Sequence, residues 1–266
     1  MPIRRRRSCL TVPGDDERKL VHAAAVPADE VVVDLEDAVP AARKDAAREL
    51  LARVLPGLTW RASTVAVRVN GPRTRWHAGD LELVRELRPD VVVVPKVELV
   101  EEVADLPVPC EALIETAAGL AACESIAAAP GLEALVLGPG DLAASLGVPA
   151  LTIGVGAHLN YALARILVAA RAHGLAVVDG PFVSLGDPEG LRRSAERSRA
   201  FGYDGKWCIH PEQVEICNEV YAPTAEEIER ARRILEIEGV ARLDGEMVDE
   251  ANRRMAESLL ARLDER

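Results

Sequence analysis

The chain has 266 residues and a formal net charge of −11, from 43 acidic and 32 basic side chains. That balance argues against a general nucleic-acid-binding surface, and no uninterrupted run of about 18 apolar residues is present to span a bilayer. Apolar residues make up 49% of the chain and aromatic ones only 3%. A core of Val, Leu, Ile and Ala is therefore expected, enough for one large α/β domain or two ordinary ones.

The chain opens with a basic run, Arg4 to Arg7. It reads as a solvated extension, with a contact to a phosphate-bearing ligand as the functional alternative. It is not a signal peptide, because the segment Ser8 to Val12 is too short for an apolar h-region and runs into Pro13-Gly14. Eight strands are then expected, at Cys9–Val12, Glu30–Leu35, Val65–Val69, Val91–Val94, Ala112–Ile114, Ala134–Leu137, Leu175–Val178 and Lys206–Ile209. The Val31–Val33 and Val91–Val94 runs do not alternate with polar residues, as befits strands buried on both faces of a parallel sheet.

Helical patterns fill the gaps: Asp16–Ala25, Ala41–Val54, Asp80–Leu87, Leu99–Ala104, Thr116–Ala128, Asn160–His173, Pro188–Phe201 and Pro211–Val220. Asp187-Pro188 is a helix start, and Gly174 and Gly202 suit the left-handed position that ends one. Gly147 to Gly156 reads as a loop near the functional face. After Tyr221 the pattern changes: one amphipathic helix runs from Pro223 to about Glu238, a glycine-containing turn region follows, and Glu250 to Leu263 is helical again. This predicts a (β/α)8 TIM barrel over residues 1–222 and a C-terminal helical arm or lid over 223–266, since eight such units take about 250 residues.

The five cysteines (Cys9, Cys110, Cys123, Cys208, Cys217) are odd in number and contain no CxxC, which suits reduced, buried thiols in a cytoplasmic protein. There is no HExxH and no Cys/His spacing of the zinc type.

Barrel enzymes work at the C-terminal ends of their strands. Here those ends carry Asp34-Leu35-Glu36-Asp37, Arg68 or Asn70, Lys96, Glu115, Asp141, Asp179 and His210. Glu115 and Asp141 lie 26 positions apart, about one strand-helix repeat. On neighbouring parallel strands about 4.8 Å apart they could grip one small cation. Two like unit charges 4 Å apart repel by about 4 kcal/mol at an effective dielectric of 20, so Glu36, Asp37, Glu115 and Asp141 in one mouth need compensation. A divalent cation, with Arg68 and Lys96, would supply it; all-oxygen ligation favours Mg²⁺ or Mn²⁺. Capping is the structural alternative for the acids, ion pairing for Arg68, strand stitching for Lys96 and helix initiation for His210.

The segments Arg7–Gly14, Asp34–Val39, Val67–Asn70, Val94–Glu98, Leu113–Thr116, Gly138–Leu142, Asp179–Pro181 and Gly205–Pro211 follow one another in an order that resembles the citrate lyase β subunit, the malyl-CoA and citramalyl-CoA lyases and their HpcH/HpaI aldolase superfamily. The resemblance spans nearly the whole chain. It implies Mg²⁺ on Glu115 and Asp141, metal-bound waters on Glu36 and Asp37, and Arg68 on the substrate carbonyl oxygens. Arg68, Lys96 and the Gly138-Pro139-Gly140 turn form the implied substrate contacts. Gly245–Asp249 is similar to the lid motif whose Asp enters a neighbouring subunit and moves the proton, which makes Asp249 catalytic together with Arg68, Glu36 and Asp37. The implied reaction is reversible carbon-carbon cleavage of a 3-hydroxy-3-carboxyacyl-CoA thioester to an acyl-CoA and a 2-oxo acid. The implied assembly is a homotrimer, and an acyl carrier protein is the partner of a true citrate lyase β subunit. The alternatives are a class II pyruvate-type aldolase, which the Gly138–Gly147 segment resembles, a thioesterase, and a non-catalytic CoA-binding subunit.

Overall fold

In the computed structural model, which describes residues 4–148 and 159–263, eight parallel strands close into a barrel among the described residues. They are β1 (Ser8–Pro13), β2 (Glu30–Asp34), β3 (Thr64–Arg68), β4 (Val91–Val94), β5 (Cys110–Ile114), β6 (Leu132–Leu137), β7 (Ala176–Asp179) and β8 (Gly205–Cys208), each paired with its sequence neighbours, and β8 with β1. The helices of this unit are α1 (Glu17–Ala24), α2 (Lys44–Val54), α3 (His77–Leu87), α4 (Ala117–Ala127), α5 (Pro139–Ser145), α6 (Leu159–Ala172), α7 (Pro188–Phe201) and α8 (Glu212–Tyr221). The helix expected at Leu99–Ala104 is only a single 3-10 turn, Val100–Glu102. Glu102 caps its start through the amides of Glu98 and Leu99, and the left-handed backbone of Asp105 (φ 56°) leaves no room for a further helical turn. Of the Gly147–Gly156 loop, residues 149–156 lie outside the described residues.

Strand alternation sorts the apolar residues into two sets. Val31, Val33, Val92, Ile114 and Leu135 pack outward with helix residues such as Ala47, Leu51 and Ile166. Cys9, Val32, Ala66, Val91, Val93, Leu113, Val136, Val178 and Trp207 form a separate cluster inside the barrel. By the same alternation, Glu30, Thr64 and Glu111 lie on the N-terminal side of this apolar layer, and Asp34, Arg68 and Glu115 on its C-terminal side.

The N-terminal layer corrects the reading of the basic run as a solvated extension. Arg6 is 2% exposed and plugs the barrel floor: its guanidinium bonds Glu111 at 2.5 Å and Glu133 at 2.8 Å and lies 3.3 Å from Glu30. Arg7 clamps Asp29 through Nε and Nη2 at 2.8 and 2.9 Å. Arg6 and Arg7 thus serve the face opposite the strand C-terminal ends.

Two compact units divide the chain: Arg6–Tyr221, and the residues from Ala222 onward with those before Arg6. The second contains α9 (Ala225–Leu235), a hairpin of β9 (Ala241–Leu243) and β10 (Glu246–Val248), and α10 (Glu250–Ala261). Its small core is Ala231, Ile234, Val248 and Ala256. The hairpin turns on Asp244-Gly245, both with positive φ (50° and 91°), the two-residue loop that a right-twisted ribbon favours. The sequence predicts only a turn region here, because strands this short and exposed carry no alternation. All five cysteines are free and buried, and no helix among the described residues is long and apolar enough to cross a membrane.

Candidate active site

The C-terminal ends of β2 to β6 converge on one acidic cluster. Asp34 ends β2 fully buried, accepts the amides of Glu36 and Ala38, and receives the Nε–Nη2 edge of the Arg68 guanidinium at 2.7 and 2.6 Å. Burial alone would push the Asp34 carboxyl up; Arg68 and these donors outweigh it and hold Asp34 below its ordinary value. Arg68 also lies 3.1 Å from Glu36 and over the Trp207 ring at 5.3 Å, so the apolar layer supports it from beneath.

Glu115, 4% exposed, follows β5. Its Oε1 accepts the Lys96 amide at 2.9 Å. Burial, then the negative charge of Glu36, pushes the Glu115 carboxyl up to about 8, against the pull of Lys96 and Arg68. Gly138 makes room for it: a Cβ there would stand 2.4 Å from both the Cβ and Oε2 of Glu115. Gly180 gives the same clearance to Pro139, whose Cδ would lie 2.1 Å from an added Cβ. Asp141 sits inside the first turn of α5, which starts at Pro139, so it does not cap the helix expected after it; its side chain is 42% exposed.

The Lys96 ammonium joins these acids. It pairs with Glu36, lies 3.1 Å from Asp141 and 3.6 Å from Asp37. Burial pushes Glu36 up, and its Oε2 has no hydrogen-bond partner despite the nearby Arg68 charge.

Not every expected residue belongs to the cluster. Asp179 turns instead to Lys206, its Oδ2 2.5 Å from the Nζ, between β7 and β8. Asn70 is stitched to Asp80 and to the Leu35 carbonyl. His210 lines a 690 Å³ cavity between the ends of β1 and β8, with Arg18, Lys19 and His22 of α1. Asp249 caps α10, accepting the amides of Ala251 and Asn252. The Asp34 clamp and the Trp207 support were missed. Parity was the available signal: Asp34 and Arg68 follow Val32 and Ala66 at period two, so all four face inward.

Among the described residues, no three His, Cys, Asp or Glu side chains converge on one point; the acids converge on an ammonium. Two carboxylates nevertheless suit Mg²⁺, which is commonly held by one or two carboxylates with substrate and water completing its octahedron. Here the donors are Glu115 and Asp141. Glu115, raised by burial and then by the negative charge of Glu36, and the ammonium already seated beside Asp141 both mark a place that favours positive charge.

Residues 7–211 match the family model described as HpcH/HpaI aldolase/citrate lyase. The chain belongs to that family. It is 39% identical over 275 residues to a (3S)-malyl-CoA thioesterase of Cereibacter sphaeroides, covering 96% of this chain and 94% of the relative. It is 35% identical over 302 residues to the L-malyl-CoA/beta-methylmalyl-CoA lyase of the same organism, covering 97% and 95%. Among solved structures, CitE from Mycobacterium tuberculosis in complex with magnesium, acetoacetate and coenzyme A superposes with a TM-score of 0.84 at 33% identity, over 97% of this chain and 98% of that one.

Proposed function

We propose that the chain is a Mg²⁺-dependent carbon-carbon lyase that cleaves, or forms, a 3-hydroxy-3-carboxyacyl-CoA thioester, giving acetyl-CoA or a related acyl-CoA and a 2-oxo acid. The observation that carries this reading is the pairing of Glu115 and Asp141 at adjoining strand ends beside a pre-set Arg68, in a family member similar over nearly its whole length to a malyl-CoA lyase.

Glu115 and Asp141 would hold the metal, which would act as Lewis acid and template for the α-hydroxy or α-oxo carboxylate. Arg68, fixed by Asp34, would stabilise the thioester enolate oxygen; a pre-organised donor of this kind contributes about 3–4 kcal/mol. In cleavage the substrate hydroxyl would give its proton to water ordered by Glu36 and Asp37, its carbon would become the carbonyl of the 2-oxo acid as the carbon-carbon bond breaks, and the electron pair of that bond would pass to the thioester as an enolate. Asp249 would then deliver a proton to the enolate carbon, or remove it in the condensing direction. Glu36 and Asp37 would order water at the metal's edge. The Gly138–Gly140 turn would let the oxo acid approach backbone. Arg18 and Lys19, beside the cavity that His210 lines, would meet the anionic nucleotide arm of CoA. We further propose a cytoplasmic homotrimer in which Asp249 serves a neighbouring copy; an acyl carrier protein is a second thioester carrier to test.

A second reading has its own support, since the thioesterase relative is 39% identical. One assay separates the two. The protein is incubated with Mg²⁺, acetyl-CoA and glyoxylate, pyruvate or oxaloacetate in turn, and the products are resolved. A new acyl-CoA, cleaved back to its parts, supports the lyase; release of free CoA with the hydroxy acid supports hydrolysis; turnover with free aldehydes and no CoA supports the aldolase; no turnover and no metal binding supports a non-catalytic subunit.

A further inference from the structure

Lys96 is held in an unusual way. Its φ is +55°, a left-handed backbone that a side-chain-bearing residue rarely adopts without surrounding compulsion. The compulsion is visible at both ends: its amide donates to Glu115 Oε1 at 2.9 Å, and its carbonyl accepts Arg73 Nη2 at 2.8 Å. Arg73 is anchored in turn by Glu102 and Glu98 at 2.5 and 3.2 Å. One residue thus holds the first metal-ligand candidate through its main chain and the second, Asp141, through its ammonium.

We propose that the Lys96 ammonium is the site's resident counter-cation, keeping Asp141 and Glu36 in place and withdrawing from Asp141 when a divalent cation binds. This rests on the assignment of Glu115 and Asp141 as the metal ligands. Three observations carry it. Arg68 is largely committed to Asp34, whereas Lys96 contacts Glu36, Asp37 and Asp141 together. An ammonium 3.1 Å from Asp141 and a divalent cation on the same carboxylate repel, so the two cannot share it at low cost. The side chain is 34% exposed, on a flexible four-carbon stem, and keeps Glu36 and Asp37 as partners after it leaves Asp141. The device makes metal binding an exchange of cations rather than a filling, and it spares the acids mutual repulsion before the metal arrives.

The test is Mg²⁺ titration by calorimetry on the full-length wild type, Lys96→Met and Glu115→Gln, with thermal melting of each in EDTA and in Mg²⁺. Loss of a competitor is expected to tighten Mg²⁺ binding by Lys96→Met about tenfold, a change of ~1.4 kcal/mol. The EDTA form of that variant is expected to melt lower than wild type, with the gap narrowing in saturating Mg²⁺. Mg²⁺ binding by Lys96→Met that is equal to or weaker than wild type overturns the inference, even where turnover is lost. Wild type that fails to bind Mg²⁺, or binds it unaffected by Glu115→Gln, overturns the metal assignment and this inference with it. Lys96→Arg is the variant for a Met form that does not fold: the retained charge is expected to keep affinity within twofold of wild type or weaken it, and a clear tightening overturns the proposal.

Discussion

Asp34 holds one edge of Arg68, whose Nε and Nη2 donate to its two oxygens at 2.7 and 2.6 Å. The guanidinium that would meet the enolate is therefore aimed by a residue that touches no substrate in the proposed reaction. Asp34→Asn keeps the volume but removes the charge and one acceptor. Its kcat is expected to fall about 10²-fold, the scale of losing a pre-organised donor, while Mg²⁺ affinity by calorimetry stays within about twofold. Arg68→Ala is expected to cost at least as much. Near-normal turnover of Arg68→Ala removes Arg68 from the mechanism; near-normal turnover of Asp34→Asn alone removes the aiming role of Asp34.

Metal removal follows from the crowding around Glu115. EDTA is expected to abolish turnover and excess Mg²⁺ to restore it. Glu115→Gln and Asp141→Asn each take a charged donor from a site with two, and Mg²⁺ affinity is expected to drop by more than about tenfold in each. Full activity in EDTA would sink the metal-dependent reading.

Arg18 and Lys19 are placed to meet a nucleotide arm rather than the reacting atoms. The double substitution Arg18→Ala with Lys19→Ala is expected to raise KM for a CoA thioester about tenfold with little change in kcat, the pattern of lost uniform binding. A truncated pantetheine thioester is expected to show no such change, and an equal loss on both substrates would place the two side chains elsewhere.

Asp249 has two separable roles to test. As the cap of α10 its replacement by Ala is expected to cost about 1 kcal/mol, read from denaturant unfolding. As the proposed proton donor it is expected to be rescued in mixed assemblies. Asp249→Ala and Arg68→Ala proteins, each inactive alone, would regain activity when unfolded and refolded together. Absence of rescue, with mixed oligomers demonstrated, argues that the proton does not cross between copies.

The floor of the barrel sets part of the pH dependence of stability. Burial and the adjacent Glu111 charge push the Glu30 carboxyl well above its ordinary value, against the opposing charge of Arg6, and Glu133 adds to the rise. The folded chain then holds a proton that the unfolded chain releases above about pH 4.5, so unfolding free energy falls as pH rises from there, by at most ~1.4 kcal/mol per unit for this group. Both Glu30 oxygens and Glu111 Oε2 accept no hydrogen bond, and one proton between them supplies a donor. Glu30→Gln supplies a permanent donor of nearly the same shape, so it is expected to flatten this part of the stability profile and to be the more stable protein at pH 8. A profile parallel to wild type would show that Glu30 is ionised.

The barrel itself was readable because two-faced burial leaves a plain mark: Val31–Val33 and Val91–Val94 sit among residues buried on both sides. The acids at the strand ends were readable from position alone, and their gathering around Lys96 agrees with the expected need for compensating charge. Long-range pairings were less legible. Nothing near Arg6 in sequence announces partners 24, 105 and 127 positions away in Glu30, Glu111 and Glu133, so a basic run was read as solvated. Asp179 was placed in the mouth for its strand-end position, yet side-chain parity turns it outward to Lys206. The helix at Asp141 starts two residues before it and not after it, because Gly138-Pro139-Gly140 reads locally as a turn while proline is at home in a first helical turn.

The apolar layer of Val32, Ala66, Val91, Val93, Leu113, Val136, Val178 and Trp207 lies between the charged floor and the charged mouth. It separates two ionic compartments that share no ion pair: acids gathered on Arg6 below, and acids gathered on Arg68 and Lys96 above. Substitutions that retune the mouth, for another oxo acid or another metal, should therefore leave the floor's proton and ion pairs untouched. Thermostabilising changes around Arg6 and catalytic changes around Lys96 can accordingly be made separately, with effects that add.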